Sequence, residues 1–165
     1  MENHQKRVKI KSEKEMLSEL AALCSRSEHC TFEMREKMMR SGMDEQVQEH
    51  IITQLVKERY VDDERYARCF VAEKVKYNRW GRRKVEQALR LKRISPEVIG
   101  LVLGEIDDET YMEVLRPLLL SKAKSVKAAN AYERSKKLVQ FAMGRGFHYE
   151  LIRECVKEIG YEAEE

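Results

Sequence analysis

The sequence predicts an all-α protein of three tandem three-helix repeats forming an elongated, curved array. Three observations predict it. The 165 residues include only seven glycines and two prolines, and these are the residues that punctuate turn-rich β folds. Apolar residues recur at spacings of three and four, the period of a helix face. A short string also recurs: Val61-Asp62-Asp63-Glu64-Arg65-Tyr66 returns 45 residues later as Ile106-Asp107-Asp108-Glu109-Thr110-Tyr111. Short helical units repeated at such a period bury their apolar faces against neighbours and stack.

Residues 1–12 are polar and basic and read as a flexible arm. A first repeat over 13–61 follows. Its first helix runs from about Glu13 to Ser25, with Met16, Leu17, Leu20, Ala21 and Cys24 on one face. Thr31 is the candidate N-cap of a second helix that turns Met34, Met38 and Met39 inward and stops at Gly42. Asp44 opens a third, striped by Val47, Ile51, Ile52, Leu55 and Val56. The second repeat, 62–106, starts at Asp62-Asp63 and places Tyr66, Ala67, Phe70 and Val71 on one face. Trp80-Gly81 interrupts it. A helix with Val85, Ala88 and Leu89 comes next, then one capped by Ser95, with Pro96 where a missing N–H costs nothing. The third repeat, 107–165, restarts at Asp107-Asp108. Pro117 should kink or split its first helix. A helix from about Asn130 to Met143 ends at Gly144 and Gly146, and the last runs from about Tyr149 to Glu158.

Composition narrows the function classes. Charged residues make up 37% of the chain and apolar ones 42%. That is too apolar for a disordered chain and too charged for a membrane protein. No stretch approaches the roughly 20 apolar residues that span a bilayer. The start, MENHQKRVKIKSEKEM, lacks a signal-peptide apolar core, so a cytoplasmic location is expected. Cys24, Cys30, Cys69 and Cys155 form no CxxC pair, so reduced, mostly buried thiols are expected rather than a zinc site or a disulfide framework. His4, His29, His50 and His148 sit in unrelated contexts, and neither a nucleophile triad nor a phosphate-cradling glycine loop is present. No catalytic residue, cofactor or metal is therefore assigned. Paired aspartates before a helix read as caps, because their carboxylates accept from unsatisfied backbone N–H groups and complement the helix dipole.

The net charge of +3 hides strong segregation. Between Lys74 and Arg93 lie Lys74, Lys76, Arg79, Arg82, Arg83, Lys84, Arg90, Lys92 and Arg93 against the single acid Glu86, a net +8. Between Ser121 and Lys137 lie Lys122, Lys124, Lys127, Arg134, Lys136 and Lys137 against Glu133, a net +5. Tyr77 and Trp80 stand among the first group. Cations with interleaved aromatic rings form the composition of a surface that tracks phosphates. The candidate partner or DNA-binding residues are accordingly Lys74, Lys76, Arg79, Trp80, Arg82, Arg83, Lys84, Arg90, Lys92, Arg93, Lys122, Lys124, Lys127, Lys136 and Lys137.

The run from Arg26 to Met38, then Gly42, then Tyr60-Val61-Asp62-Asp63-Glu64-Arg65-Tyr66-Ala67 with Phe70, then Trp80-Gly81-Arg82-Arg83-Lys84 with Leu89, resembles the RecX family of recombination regulators. The likeness covers nearly all of the chain after the arm. It implies three three-helix repeats and a non-enzymatic protein of DNA repair and the SOS response. Such a protein binds the filament of RecA recombinase on single-stranded DNA and inhibits its strand exchange, ATPase and coprotease activities. It also implies that Asp62, Asp63, Arg65, Tyr66 and Phe70 are a structural signature, and that Gly81 with its adjoining cations is a surface one. Where the family has Lys-Gly-Ile this chain has Lys92-Arg93-Ile94, so Arg93 should adopt a turn conformation that suits glycine. A monomer without membrane contact is expected, with weak direct DNA binding. The competing reading is a helical protein that acts on naked DNA without recombinase.

Overall fold

The computed structural model describes residues 10–161; residues 1–9 of the expected arm lie outside the described residues. Among the described residues there are nine helices and no strand. They are α1 (Glu13–Arg26), α2 (Thr31–Arg40), α3 (Glu45–Lys57), α4 (Asp63–Lys76), α5 (Arg82–Leu91), α6 (Pro96–Gly104), α7 (Asp108–Ser125), α8 (Ala131–Gly144) and α9 (Tyr149–Glu158). The chain divides into two compact units at Tyr66–Ala67.

Six of the helix starts carry a side-chain cap. Ser12, Asp44, Asp62, Ser95, Asp107 and Asn130 accept from the backbone N–H of Glu15, Gln46, Arg65, Val98, Thr110 and Glu133. Such caps are each worth about 1 kcal/mol. The helix ends recur as well. α2, α5 and α8 stop at residues with positive φ: Gly42 (71°), Arg93 (53°) and Gly146 (92°). The next residue, Met43, Ile94 or Phe147, donates its N–H back to Met38, Leu89 or Ala142, at 3.2 Å each time. All three of these residues are buried. This is a Schellman ending with its apolar clamp, and it turns the second helix of each triplet into the third. Arg93 takes the left-handed conformation expected of it.

Several expectations are corrected. The N-cap of α2 is Cys30 and Thr31 is its first helical residue; Cys30 donates its N–H to Glu33 Oε1 at 3.1 Å. Met39 is 69% exposed and Val56 48% exposed, because each lies at the edge of its apolar stripe. Cys69 is exposed and Cys24 half-buried, so only Cys30 and Cys155 are buried thiols. α7 continues through Pro117 rather than splitting.

In the first unit, Met16, Leu20, Met34, Met38, Met43, Ile51, Ile52, Leu55 and Val61 form one core. The aspartate pair divides its labour. Asp62 caps α4, its own helix, whereas Asp63 Oδ1 accepts from both the N–H (2.8 Å) and the hydroxyl (3.0 Å) of Thr31 and so caps α2, 32 residues away. Arg65 donates to Glu28 Oε1 at 2.6 Å and to the carbonyl of Arg59 at 3.1 Å, beside the left-handed end of α3. In the second copy Thr110 replaces this arginine, and its hydroxyl closes on Asp107 instead (2.7 Å). Asp63→Ala should therefore destabilise by about 1–2 kcal/mol and Asp63→Asn by less, read as the urea midpoint. Equal midpoints for wild type and Asp63→Ala would mean that the long-range cap contributes nothing.

In the second unit, α7 packs on α8 and α9, α8 on α9, and α5 on α6. Tyr111, Leu115, Leu119, Leu138, Phe147, Ile152 and Cys155 are buried there. Burial pushes the Cys155 thiol up to about 11 and, in the first unit, the Cys30 thiol up to about 12. Folded values above the unfolded one of roughly 8.5 make these groups support the fold fully below that pH, and that support is lost as pH rises towards 12. The urea midpoint should fall from about pH 8.5 upward, and less steeply in a Cys30→Ala/Cys155→Ala variant. An identical alkaline slope in that variant would refute the assignment.

Candidate nucleic-acid interface

α5 breaks the rule that every other described helix follows. The other eight carry an acid in the first turn, as the dipole favours; α5 opens Arg82-Arg83-Lys84 with none, behind a Gly81 cap that has no side chain to offer. What makes this tolerable is the end of α8. The Gly81 N–H donates to the Arg145 carbonyl at 2.8 Å, and the Arg83 N–H to the Gly146 carbonyl at 3.0 Å. The positive end of one helix thus meets the negative end of another. The approach is so close that a Cβ on Gly81 would lie 2.3 Å from the Phe147 nitrogen, and one on Gly146 would lie 2.5 Å from the Lys84 backbone. Gly81 is therefore buried at a backbone junction and is not itself a surface residue.

Around this junction two ring-and-cation groups assemble. The Lys74 and Lys84 ammonium groups lie over Trp80, 5.2 and 4.6 Å from its centroid, and Lys74 also lies 5.4 Å from Phe70. Lys122 and Arg145 lie over Phe141 at 4.8 and 5.5 Å. The Arg145 guanidinium also donates to the Asn78 carbonyl at 3.3 Å, which ties the second group to the turn that leads into α5. That turn carries Tyr77, 73% exposed beneath Lys76 at 5.4 Å, and Arg79, exposed with φ 55°. Arg79 and Arg83 have no carboxylate in ion-pair range among the described residues.

The structure sorts the expected residues. Lys74, Lys76, Arg79, Trp80, Arg83 and Lys84 come together, and Lys122 joins them through Phe141 and Arg145. Trp80 is half-buried under its lysines rather than open to stacking. Lys92 and Arg93 lie at the other end of α5, roughly 15 Å along the helix. Arg90 pairs with Glu86 at 2.8 Å. With half-buried Arg82, those two line a groove of about 400 Å3 floored by Ile94, Ile99 and Leu103. Lys124, Lys127 and Lys136 are exposed around the α7–α8 connection, where Lys137 donates to the Lys127 carbonyl. Of the signature, Tyr66 is buried, and burial with the neighbouring Glu33 raises its phenol. Phe70 is half-buried. Arg145, Phe141 and Gly146 are not among the expected site residues: in the sequence Gly144 and Gly146 read only as a helix stop, and nothing there marks Phe141 or Arg145 as part of a cation–ring group.

Residues 62–103 match the RecX second three-helix domain, and residues 109–156 the RecX third three-helix domain. The chain is 31% identical over 130 residues to regulatory protein RecX of Vibrio campbellii, covering 79% of this chain and 82% of that one. The chain belongs to the RecX family. A RecX relative from Clostridium acetobutylicum is longer: 30% identity over 131 residues covers 77% of this chain and 60% of that protein. A crystal structure of RecX from Lactobacillus salivarius superimposes with a TM-score of 0.83 at 18% identity, over 91% of this chain and 97% of the other, which shows a shared fold. The RecX relatives are named as regulatory proteins. No helix among the described residues is long and apolar enough to cross a membrane.

Proposed function

We propose that this chain is a non-enzymatic regulator that binds the RecA filament on single-stranded DNA and inhibits its strand exchange, ATPase and coprotease activities. Membership of the RecX family supports the partner. The observation that carries the contact is the cluster at the start of α5. There, cations are set against the helix dipole and held around aromatic rings by a backbone junction. A local rule broken at such expense marks a functional surface. Lys74, Lys76, Arg79, Arg83 and Lys84 face phosphates or an acidic protein surface, with Lys122 and Arg145 extending the field. Three repeats, 13–61, 62–106 and 107–165, supply the scaffold, in the cytoplasm.

The deciding experiment is RecA ATPase on single-stranded DNA, titrated with this protein. A progressive fall in turnover at protein well below DNA saturation is expected. Unchanged turnover, together with tight salt-sensitive binding to naked duplex, would favour the DNA-binding alternative instead.

A further inference from the structure

We infer that Tyr77 is a stacking platform for a nucleobase of a single strand whose phosphates lie on the surrounding cations. The inference rests on the nucleic-acid reading of this surface and names the group that reads a base face within it. Three observations carry it. First, the ring is 73% exposed, whereas Trp80, the larger ring of the same turn, is half-buried and already covered by two ammonium groups. Second, the turn that presents Tyr77 is pinned. The Tyr77 N–H donates to the Glu73 carbonyl at 2.9 Å, the Trp80 N–H to the Lys74 carbonyl at 3.0 Å, and Arg145 to the Asn78 carbonyl at 3.3 Å. A ring held in place loses little freedom when a base settles on it. Third, its neighbours are cations. Lys76 and Arg79 flank it within two residues, and Arg83 follows, none of them in an ion pair among the described residues. Of the other exposed tyrosines, Tyr132 (67%) and Tyr149 (50%) each adjoin a glutamate, Glu133 and Glu150, which repels a phosphate backbone, and Tyr60, only 37% exposed, lies two residues before the Asp62-Asp63 pair.

A phosphate-tracking groove with an exposed ring is how sequence-tolerant single-strand binding is built. Stacking involves no ion release, so loss of the ring and loss of a cation have different salt signatures.

The test is anisotropy of a labelled oligothymidylate of about 20 nucleotides, a length that exceeds a single-strand site of this kind, titrated with full-length protein at several salt concentrations. Tyr77→Ala should weaken binding about tenfold at fixed salt with the salt slope unchanged. Tyr77→Phe should bind like wild type, and so should Tyr132→Ala. Wild-type binding that Tyr77→Ala leaves intact would overturn the stacking role while the basic surface stands. If wild type ignored the oligonucleotide but Tyr77→Ala weakened binding to RecA-coated DNA, the ring would be a protein contact and the inference would also fall. Wild type that bound neither probe would instead remove the functional reading on which the inference rests.

Discussion

Gly81→Ala should cost about 3 kcal/mol of unfolding free energy or more, an unusually large penalty for one added methyl group. The new Cβ would sit 2.3 Å from the Phe147 nitrogen and 2.4–2.5 Å from the Gly146 carbonyl group, all of it backbone. Nothing there can swing aside as a flexible side chain would. Relief requires the start of α5 to retreat from the end of α8. That would break the Gly81 and Arg83 hydrogen bonds and strand two carbonyls against a buried seam. Gly146→Ala should be comparably harmful, because it adds a left-handed φ of 92° to a 2.5 Å approach on Lys84. Gly100 is the contrast. It lies within α6 with nothing within 4 Å of its absent Cβ, so Gly100→Ala should stabilise by roughly 0.5–1 kcal/mol. Urea denaturation separates these cases, and a wild-type midpoint for Gly81→Ala would refute the junction.

Replacing Lys76, Arg79 and Arg83 together with alanine should weaken binding to RecA-coated single strands by on the order of fifty- to a hundredfold at 0.15 M salt. That figure follows if each cation neutralises one phosphate. The slope of log affinity against log salt should become shallower by about two to three. All three side chains are exposed and none enters an ion pair among the described residues, so stability should stay within roughly 0.5 kcal/mol of wild type. Lys74 and Lys84 are left out of this variant because their removal would strip Trp80 of the cations over it. Undiminished affinity and an unaltered slope in a folded triple variant would move the contact away from the start of α5.

Much of the fold is legible in the residues. Asp44 and Ser95 cap the helices that their positions predict, and Asp107 caps its helix as the reading of paired aspartates expects. The left-handed Arg93 was implied only by the resemblance, through the glycine that the family has at that turn. Two of the misreadings share one cause, which is that periodicity locates a face but not its edges. Met39 and Val56 sit on the margin of their stripes and point to solvent. The candidate surface was legible as composition and not as geometry. A +8 run does not reveal that Lys92 and Arg93 lie a full helix away from Arg83, or that Arg90 is neutralised by Glu86.

What the sequence by itself determined is local: helix identity, caps, turn glycines and the blocks of charge, all set by interactions between residues a few positions apart. What only the tertiary structure decided joins residues far apart in the chain. Asp63 caps α2 across 32 residues, and Arg145 reaches Asn78 across 67. The meeting of α5 with α8 turns Gly81 from a surface mark into a seam. Such pairings depend on which backbones pack together, and a glycine in the sequence says only that something could come close, not what does.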